Sequence, residues 1–251
     1  MAKDTKLDLI IDIGNTRAKL LAMKQGKVIE ELSSDSETLE GMSTFMEHHS
    51  FLRGIISTVA HVGDIAQRKL ENLEFPIMWL TSDTPLPIPT TFPESMGSDR
   101  IAAIVGAMTL KPGTPLLIVD AGTCVTYEFI DDNGTYLGGN IAPGLRLRLL
   151  AMHEHTALLP LVEVQGDVPS IGYDTDTAMR AGAVLGLKNE IEGYIRHYRE
   201  EHPALQVFLT GGDEFAYDQE ISQIIHTDHH LVPTGLYSIL EWNSNKDPHK
   251  A

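Results

Sequence analysis

The sequence predicts an α/β fold made of two halves that are related by an internal duplication. Apolar segments of strand length alternate along the chain with segments of helical periodicity. A strand–turn–strand arrangement near the N-terminus returns 108 positions later, from Asp12 to Asp120. In both copies the aspartate lies at the end of an apolar strand, and a glycine follows two residues later, at Gly14 and Gly122. These observations together indicate two lobes of one architecture.

The first half opens with a predicted hairpin. Residues 7–13 are expected to form a buried strand, and residues 17–23 a second strand after a tight turn at Gly14-Asn15. A third strand at 28–32 follows the turn at Gln25-Gly26. The remaining elements are a helix at 36–47, a strand at 54–58, a helix at 62–73, a strand at 76–80, a proline-rich surface loop at 84–93 and an apolar helix at 101–110.

The second half repeats the hairpin. Residues 116–119 and 124–130 are its two predicted strands, and Asn133-Gly134 turns where Gln25-Gly26 did. Two unrelated hairpins often share Gly and Asp at their turns, but five identities in one register favour duplication. The identical pairs are Leu9/Leu117, Ile10/Ile118, Asp12/Asp120, Gly14/Gly122 and Gly26/Gly134.

The rest of the second half is expected to contain a loop, three helices and a strand. These are a loop at 137–144, a helix at 145–157, a long helix at 175–201, a strand at 207–210 and a closing helix at 235–242. The linker after residue 111 divides the chain into predicted domains 1–111 and 112–251. A polar tail is expected from about residue 243.

Composition limits the classes of partner. The chain has 19 Lys and Arg against 35 Asp and Glu, a net charge of −16. This charge argues against a protein that binds nucleic acid by neutralising phosphates, and against binding to an anionic membrane surface. The only cysteine, Cys124, fits a reducing compartment, and no segment approaches the ~20 apolar residues of a membrane span. We therefore expect a cytoplasmic protein that binds neither nucleic acid nor membrane.

The two Asp-x-Gly turns suit phosphate binding. Glycine allows the backbone to approach an anion closely, so that successive N–H groups point at it. Asn15, Thr16 and Thr123 add side-chain donors, and an aspartate can hold a hydrated Mg²⁺. Either turn alone is common among proteins. The pair, with a third glycine loop at Thr210-Gly-Gly-Asp213, is more specific.

Over about residues 7–242 the chain resembles the acetate and sugar kinase/Hsp70/actin superfamily, and within it the type III pantothenate kinases. The segments that carry the resemblance are Asp12-Ile-Gly-Asn-Thr-Arg-Ala-Lys19, Gly97-Ser-Asp-Arg100, Asp120-Ala-Gly-Thr123, Gly138-Gly-Asn-Ile-Ala-Pro-Gly144, Thr156-Ala-Leu-Leu-Pro160, Gly172-Tyr-Asp-Thr175 and Thr210-Gly-Gly-Asp213. The resemblance implies two actin-like (ribonuclease H-like) lobes with ATP in the cleft between them. It also implies phosphorylation of pantothenate to 4′-phosphopantothenate, the first step of coenzyme A biosynthesis, by a homodimer that needs Mg²⁺ and K⁺ or NH₄⁺.

The same resemblance implies the roles of individual residues. Asp99 would be the catalytic base that takes the proton of the pantothenate hydroxyl. Asp120 would coordinate the monovalent cation. The substrate-binding residues would be Gly97, Ser98, Asp99, Arg100 and Thr175, with Thr175 contributed across the dimer. The ATP-binding residues would be Asp12, Ile13, Gly14, Asn15, Thr16, Arg17, Ala18, Lys19 and Thr123.

Structural alternatives exist for several of these residues. Ser98 or Asp99 would serve equally as the N-cap of the helix that follows, and Arg17 and Lys19 as solvated strand residues. Thr175 would serve as a helix cap, and Thr177 competes with it as the substrate contact.

The chain also departs from the family at one point. The family usually has a substrate-pocket tyrosine before the Gly-x-Asp-Arg segment, where this chain has Thr90, with Phe92 nearby. Two other functions remain open at this point: another small-molecule kinase of the superfamily, and a non-catalytic regulatory relative.

Overall fold

The computed structural model describes residues 6–213 and 215–246 and divides the chain into two compact units. One unit comprises the described residues up to Pro112 and from His230 onward. The other spans Gly113–His229. Among the described helices, none has both the length and the apolar character needed to cross a membrane.

Strands and helices alternate through the described residues, as the fold class requires. The strands are β1 (Leu7–Ile13), β2 (Arg17–Lys24), β3 (Lys27–Asp35), β4 (Phe51–Thr58), β5 (Ile77–Trp79), β6 (Leu116–Ala121), β7 (Cys124–Ile130), β8 (Tyr136–Pro143), β9 (Gln206–Gly211) and β10 (Ile225–Thr227). The helices are α1 (Met42–His48), α2 (Asp64–Glu71), α3 (Ser98–Leu110), α4 (Leu145–Glu154), α5 (Thr175–Glu201), α6 (Gln219–Ser222) and α7 (Leu231–Lys246).

The two units contain the same five-stranded sheet. Its order is β3-β2-β1-β4-β5 in the first unit and β8-β7-β6-β9-β10 in the second. In the first sheet β1 is antiparallel to β2 and parallel to β4, and in the second sheet β6 is antiparallel to β7 and parallel to β9. A shared strand order with the same mixture of directions supports the duplication predicted from the repeat.

The hairpins of the two units differ by one residue. Ile13 pairs with Ala18, which leaves four residues in the first loop, whereas Ala121 pairs with Val125 and leaves three in the second. The sequence register returns at Gly26 and Gly134, both of which have a positive φ. The repeat of 108 therefore conceals a one-residue deletion in the second loop and a compensating insertion before the next turn.

Each unit has its own apolar core, and the central strands β1 and β6 lie within these cores. Leu9, Ile11, Leu117 and Val119 are fully buried. Both strands are nearly continuous apolar runs because helices or other strands cover both of their faces. Burial of each such side chain stabilises the fold by roughly 1.5–3 kcal/mol, so the cores fix the position of the aspartates at the strand ends.

Two element predictions were wrong. The helix expected at 36–47 begins only at Met42, because Leu39 and Gly41 have positive φ values of 47° and 81° that interrupt a right-handed helix. The loop expected at 137–144 is the edge strand β8, which pairs with β7. Its glycines and exposed side chains lack the alternation that marks a half-buried strand.

The domain division also differs from the one expected at residue 111, because α7 belongs to the first unit and packs against α3. A Cβ at Gly235 would collide with the Ala102 carbonyl, so the two helices are in backbone contact. The helix continues into the predicted polar tail, where the Asn243 side chain donates to the Pro85 carbonyl at 2.9 Å. The last five residues of the tail lie outside the described residues.

Candidate active site

One candidate site lies in the first unit, at the carboxyl ends of β1 and β4. Asp12 on β1 is opposite Lys19 on β2 and opposite Ser57 on β4. The Cβ atoms of residues directly opposite each other on adjacent antiparallel strands lie about 4.5–5.5 Å apart. Asp12 and Lys19 are both partly buried, so this edge presents a carboxylate next to an ammonium group.

The loop between β1 and β2 offers mostly backbone and exposed polar groups. Gly14 N–H donates to the Arg17 carbonyl at 3.0 Å and closes the turn, while Asn15, Thr16 and Arg17 are exposed. Arg17 Nε donates to Ser33 Oγ at 3.0 Å. The predicted ATP contacts Ile13 and Ala18 are fully buried, so neither residue presents an exposed atom to a nucleotide in this structure.

The predicted substrate segment, residues 97–100, lies at the same edge of the same unit. Ser98 Oγ donates to the Thr58 carbonyl at 3.0 Å and lies 2.9 Å from Ser57 Oγ. These bonds fasten the first turn of α3 to the end of β4, the strand next to Asp12. The N-cap of α3 is Gly97, without a side-chain cap, so the alternative in which Ser98 or Asp99 caps this helix is wrong.

Asp99, the predicted catalytic base, is partly buried. Burial raises the pKa of its carboxyl group, and the Arg100 N–H and guanidinium lower it to a smaller extent. The Arg100 N–H donates to Asp99 Oδ1 at 2.7 Å. A Cβ on Gly97 would lie 2.6 Å from this oxygen, so glycine leaves the space that the carboxylate occupies. A raised pKa brings an aspartate nearer to the proton affinity that general-base catalysis requires.

A separate candidate site lies at the end of β6 in the second unit. Asp120 is opposite Thr126 on β7 and Thr210 on β9. Gly144 N–H donates to the Thr123 carbonyl at 3.1 Å. Carboxylate, hydroxyl and carbonyl oxygens are the donors that hard cations prefer. The described residues contain no group of three or more His, Cys, Asp and Glu side chains that could hold a metal ion, so a cation here would need hydroxyl, carbonyl, phosphate or water oxygens besides the Asp120 carboxylate.

The third glycine loop packs directly on the end of β6. Gly212 and Asp213 N–H both donate to the Ala121 carbonyl, at 2.9 and 3.2 Å. Gly211 has a φ of 96°, and a Cβ there would collide with the Ala121 backbone. Burial raises the pKa of Asp213, while an N–H bond from Leu145 lowers it to a smaller extent. The loop is thus held by backbone contacts that leave no room for a side chain at Gly211.

The structure separates the two threonines that competed for a substrate role. Asp174 is the N-cap of α5, and its side chain accepts from Thr177 N–H at 2.8 Å. Thr177 Oγ1 lies 2.6 Å from Asp174 Oδ1, so Thr177 completes a capping box. Thr175 is exposed. It belongs to the second unit, whereas residues 97–100 belong to the first, so no single unit brings them together.

Sequence reasoning missed Ser57. It is fully buried and contacts Ser98, which is 41 residues away along the chain. No local pattern marks such a contact. Cys124 is exposed and begins β7 directly after the loop of the second hairpin. Thr90 and Phe92, at the position of the usual tyrosine, are partly buried.

Comparison with known proteins identifies a family for this chain. A family model described as type III pantothenate kinase matches residues 8–197. A type III pantothenate kinase from Phocaeicola vulgatus is 44% identical over 239 residues, covering 94% of this chain and 99% of the relative. One from Bacteroides fragilis is 42% identical, covering 96% and 100%. The chain belongs to the type III pantothenate kinase family.

Solved structures support the fold of this family member. A Baf-family protein from Campylobacter jejuni matches with a TM-score of 0.59 and 22% identity, over 94% of this chain and 99% of that one. MreB5 of Spiroplasma citri, bound to ADP, matches with a TM-score of 0.51 and 7% identity, over 98% and 99%. At such low identity the likeness concerns the fold alone, which is that of the actin-like superfamily.

Proposed function

We propose that this chain transfers the γ-phosphoryl group of ATP to the primary hydroxyl of pantothenate, the first step of coenzyme A biosynthesis. The observation that carries the proposal is the position of Asp99. Asp99 is partly buried and lies in the first turn of α3. Ser98 fastens this turn to the sheet edge that also holds Asp12. A base and a phosphate-binding loop at one edge are what phosphoryl transfer to an alcohol needs.

In the proposed reaction Asp99 accepts the proton of the pantothenate hydroxyl. The hydroxyl oxygen forms a bond to the γ-phosphorus as the bond to the bridging β–γ oxygen breaks, and ADP leaves. Arg100 binds the pantothenate carboxylate, because its planar guanidinium matches an oxyanion. Gly97 and Ser98 keep the base in place.

The phosphates are proposed to bind at the two hairpin loops. Lys19 and the N–H groups of residues 15–17 neutralise phosphate charge in the first loop, and Thr123 contacts ATP in the second. Asp12 suits Mg²⁺, which usually keeps several waters and is shared between one or two carboxylates and substrate phosphates. Asp120, opposite two threonines, suits a monovalent cation such as K⁺ or NH₄⁺. These ions supply positive charge to the developing transition state.

A homodimer formed through the second unit is part of the proposal. Large apolar side chains are exposed along its β8 and the segment before α5. Their exposed fractions are 63% at Ile141, 92% at Leu158, 57% at Leu161 and 84% at Ile171. Apolar exposure of this kind marks interaction sites. A partner copy would cover these residues and would bring Thr175 to the substrate site. We also propose that the protein acts in the cytoplasm.

The test is an ADP-release assay with purified protein, ATP and Mg²⁺, with and without pantothenate and with and without K⁺. We expect ADP release that depends on pantothenate and increases with K⁺. A panel of sugars, acetate and glycerol serves as the control for acceptor identity. Release with one of these and none with pantothenate would favour another kinase of the superfamily. No release with any acceptor would favour a non-catalytic relative.

A further inference from the structure

Ser36, which has no role in the proposed site so far, makes a long-range contact with the first phosphate loop. Its hydroxyl donates to the Gly14 carbonyl at 2.7 Å across 22 positions of sequence. The side chain is 97% buried, since only 3% of the residue is exposed. A buried hydroxyl therefore reaches the backbone of a loop whose next three side chains are exposed.

Because of peptide geometry, this hydrogen bond also fixes the direction of a neighbouring N–H group. The carbonyl of Gly14 and the N–H of Asn15 belong to the same planar trans peptide and point in opposite directions. When Ser36 holds the Gly14 carbonyl, the Asn15 N–H must point away from Ser36. An N–H group in a glycine turn is the kind of donor that binds phosphate.

Gly14 is the residue at which such control is needed. It has no Cβ, so the peptide that follows it rotates more freely than after any other residue. Its own N–H is fixed by the Arg17 carbonyl at 3.0 Å. The Ser36 bond fixes the other side, so both peptides of Gly14 are held.

The segment that carries Ser36 is itself rigid. Asp35 Oδ1 accepts from the N–H groups of Glu37 and Thr38, each at 3.0 Å, and the Asp35 carbonyl accepts from Leu39 N–H at 3.0 Å. Ser36 thus projects from a fixed turn at the end of β3. The position of the Ser36 hydroxyl is therefore fixed, and its hydrogen bond holds the loop at Gly14.

We propose that Ser36 is a positioning residue for nucleotide binding, which orients the Gly14–Asn15 peptide so that the Asn15 N–H faces the phosphates. The inference rests on the proposed function in that the loop binds ATP. Loss of the hydroxyl leaves the Gly14 carbonyl without this donor and allows the peptide to turn. Affinity for the nucleotide then falls, while the chemistry performed by Asp99 is unaffected once ATP is bound.

Ser34 offers a matched control. It is also buried, at 4% exposure, and its hydroxyl donates to the Glu40 carbonyl at 2.9 Å, which lies outside the phosphate loop. Ser36→Ala and Ser34→Ala each remove from the same segment a buried hydroxyl that donates to a backbone carbonyl; the Ser34 hydroxyl also has a longer contact of 3.4 Å with the Asp35 carbonyl. Both variants should lose similar stability in urea, so a difference in nucleotide binding between them reports on the loop.

The experiment measures the dissociation constant of AMPPNP with Mg²⁺ by calorimetry, without pantothenate. We expect Ser36→Ala to bind about tenfold more weakly than the wild type, and Ser34→Ala to bind within about twofold. Amide exchange of residues 13–17, measured without nucleotide, should accelerate in Ser36→Ala alone. At saturating ATP the kcat of Ser36→Ala should stay close to that of the wild type.

In the binding measurement, either of two outcomes would overturn the proposal: AMPPNP binding by Ser36→Ala within twofold of the wild type, or equal weakening in both variants. The amide-exchange comparison needs no ligand, and equal exchange in the two variants would also overturn it. A wild-type protein that binds AMPPNP but shows no pantothenate-dependent ADP release would refute the proposed function. It would leave the comparison of the two serine variants fully informative.

Discussion

The two hairpins of this protein occupy equivalent positions in equivalent sheets, yet they are held in place differently. In the first unit, a side chain, Ser36, binds the loop carbonyl of Gly14. In the second unit, the loop packs against glycine backbone: a Cβ at Gly144 would collide with the Gly122 carbonyl. Duplication has kept the strand order while the contacts around each loop have diverged.

The difference also concerns which unit carries the chemistry. The first unit has the proposed base Asp99 and the proposed substrate segment at the same sheet edge as its loop, whereas the second has Asp120 opposite two threonines. A side-chain contact therefore holds the first loop in place, whereas close backbone packing holds the second loop. Substitutions should affect activity more in the first unit and folding more in the second.

The largest expected effect is at Asp99. Asp99→Asn keeps the size of the side chain but removes the base, so kcat should fall by about 10²–10⁴-fold in the ADP-release assay. Asp64→Asn, at the start of α2, is an unrelated carboxylate control and should retain activity. Wild-type turnover by Asp99→Asn would show that the first unit does not hold the base.

The pKa of Asp99 also predicts a pH-dependent difference in stability. Burial raises this pKa in the folded protein, so the ionised form destabilises the fold. The penalty is absent below the unfolded pKa, grows as pH rises, and is complete above the folded pKa. Asp99→Asn should therefore be no more stable than the wild type in acid but more stable at neutral pH, as measured by urea unfolding. An opposite trend would contradict a raised pKa.

The glycine loop that packs on the end of β6 should be sensitive to an added side chain at one glycine and not at the next. Gly211 combines a φ of 96° with backbone contact to Ala121, whereas a Cβ on the adjacent Gly212 meets nothing within 4 Å. Gly211→Ala should lower the free energy of unfolding by about 3 kcal/mol, and Gly212→Ala by no more than about 0.5 kcal/mol. Urea titration of both variants tests this. Equal free energies of unfolding for the two variants would contradict the close backbone packing at Gly211.

Asp12 and Asp120 should have separable roles despite their equivalent positions. Asp12→Asn should raise the KM for MgATP by about 10–100-fold through loss of a magnesium ligand and keep stimulation by K⁺. Asp120→Asn should lose that stimulation. Assays at varied MgATP and KCl distinguish the two, and an identical response from both variants would show that the halves share one cation function.

The smallest expected effect concerns Cys124, which directly follows Thr123 in the second loop. As the only cysteine in the chain and an exposed one, it should react with a disulfide reagent in the native state. MgATP should slow this reaction several-fold, and pantothenate alone should not. Equal rates with and without MgATP would argue against nucleotide binding at the second loop.

Much of this architecture was predictable from local sequence. The repeat of apolar strand, aspartate and glycine identified both hairpins, and apolar spacing predicted α5 with the bounds that the structure shows. The glycine and aspartate motifs located the candidate site, because phosphate binding at a strand end imposes residue types over only a few positions.

Other features were decided only by tertiary structure. The edge strand β8 forms because β7 offers hydrogen-bond partners to a glycine-rich segment without a strand pattern. Helix α7 joins the first unit because glycines at its contact with α3 allow the backbones to touch. Ser36 and Ser57 reach the site over 22 and 41 positions of sequence. Periodicity and turn chemistry describe neighbours along the chain, whereas these contacts join residues that only the folded chain brings together.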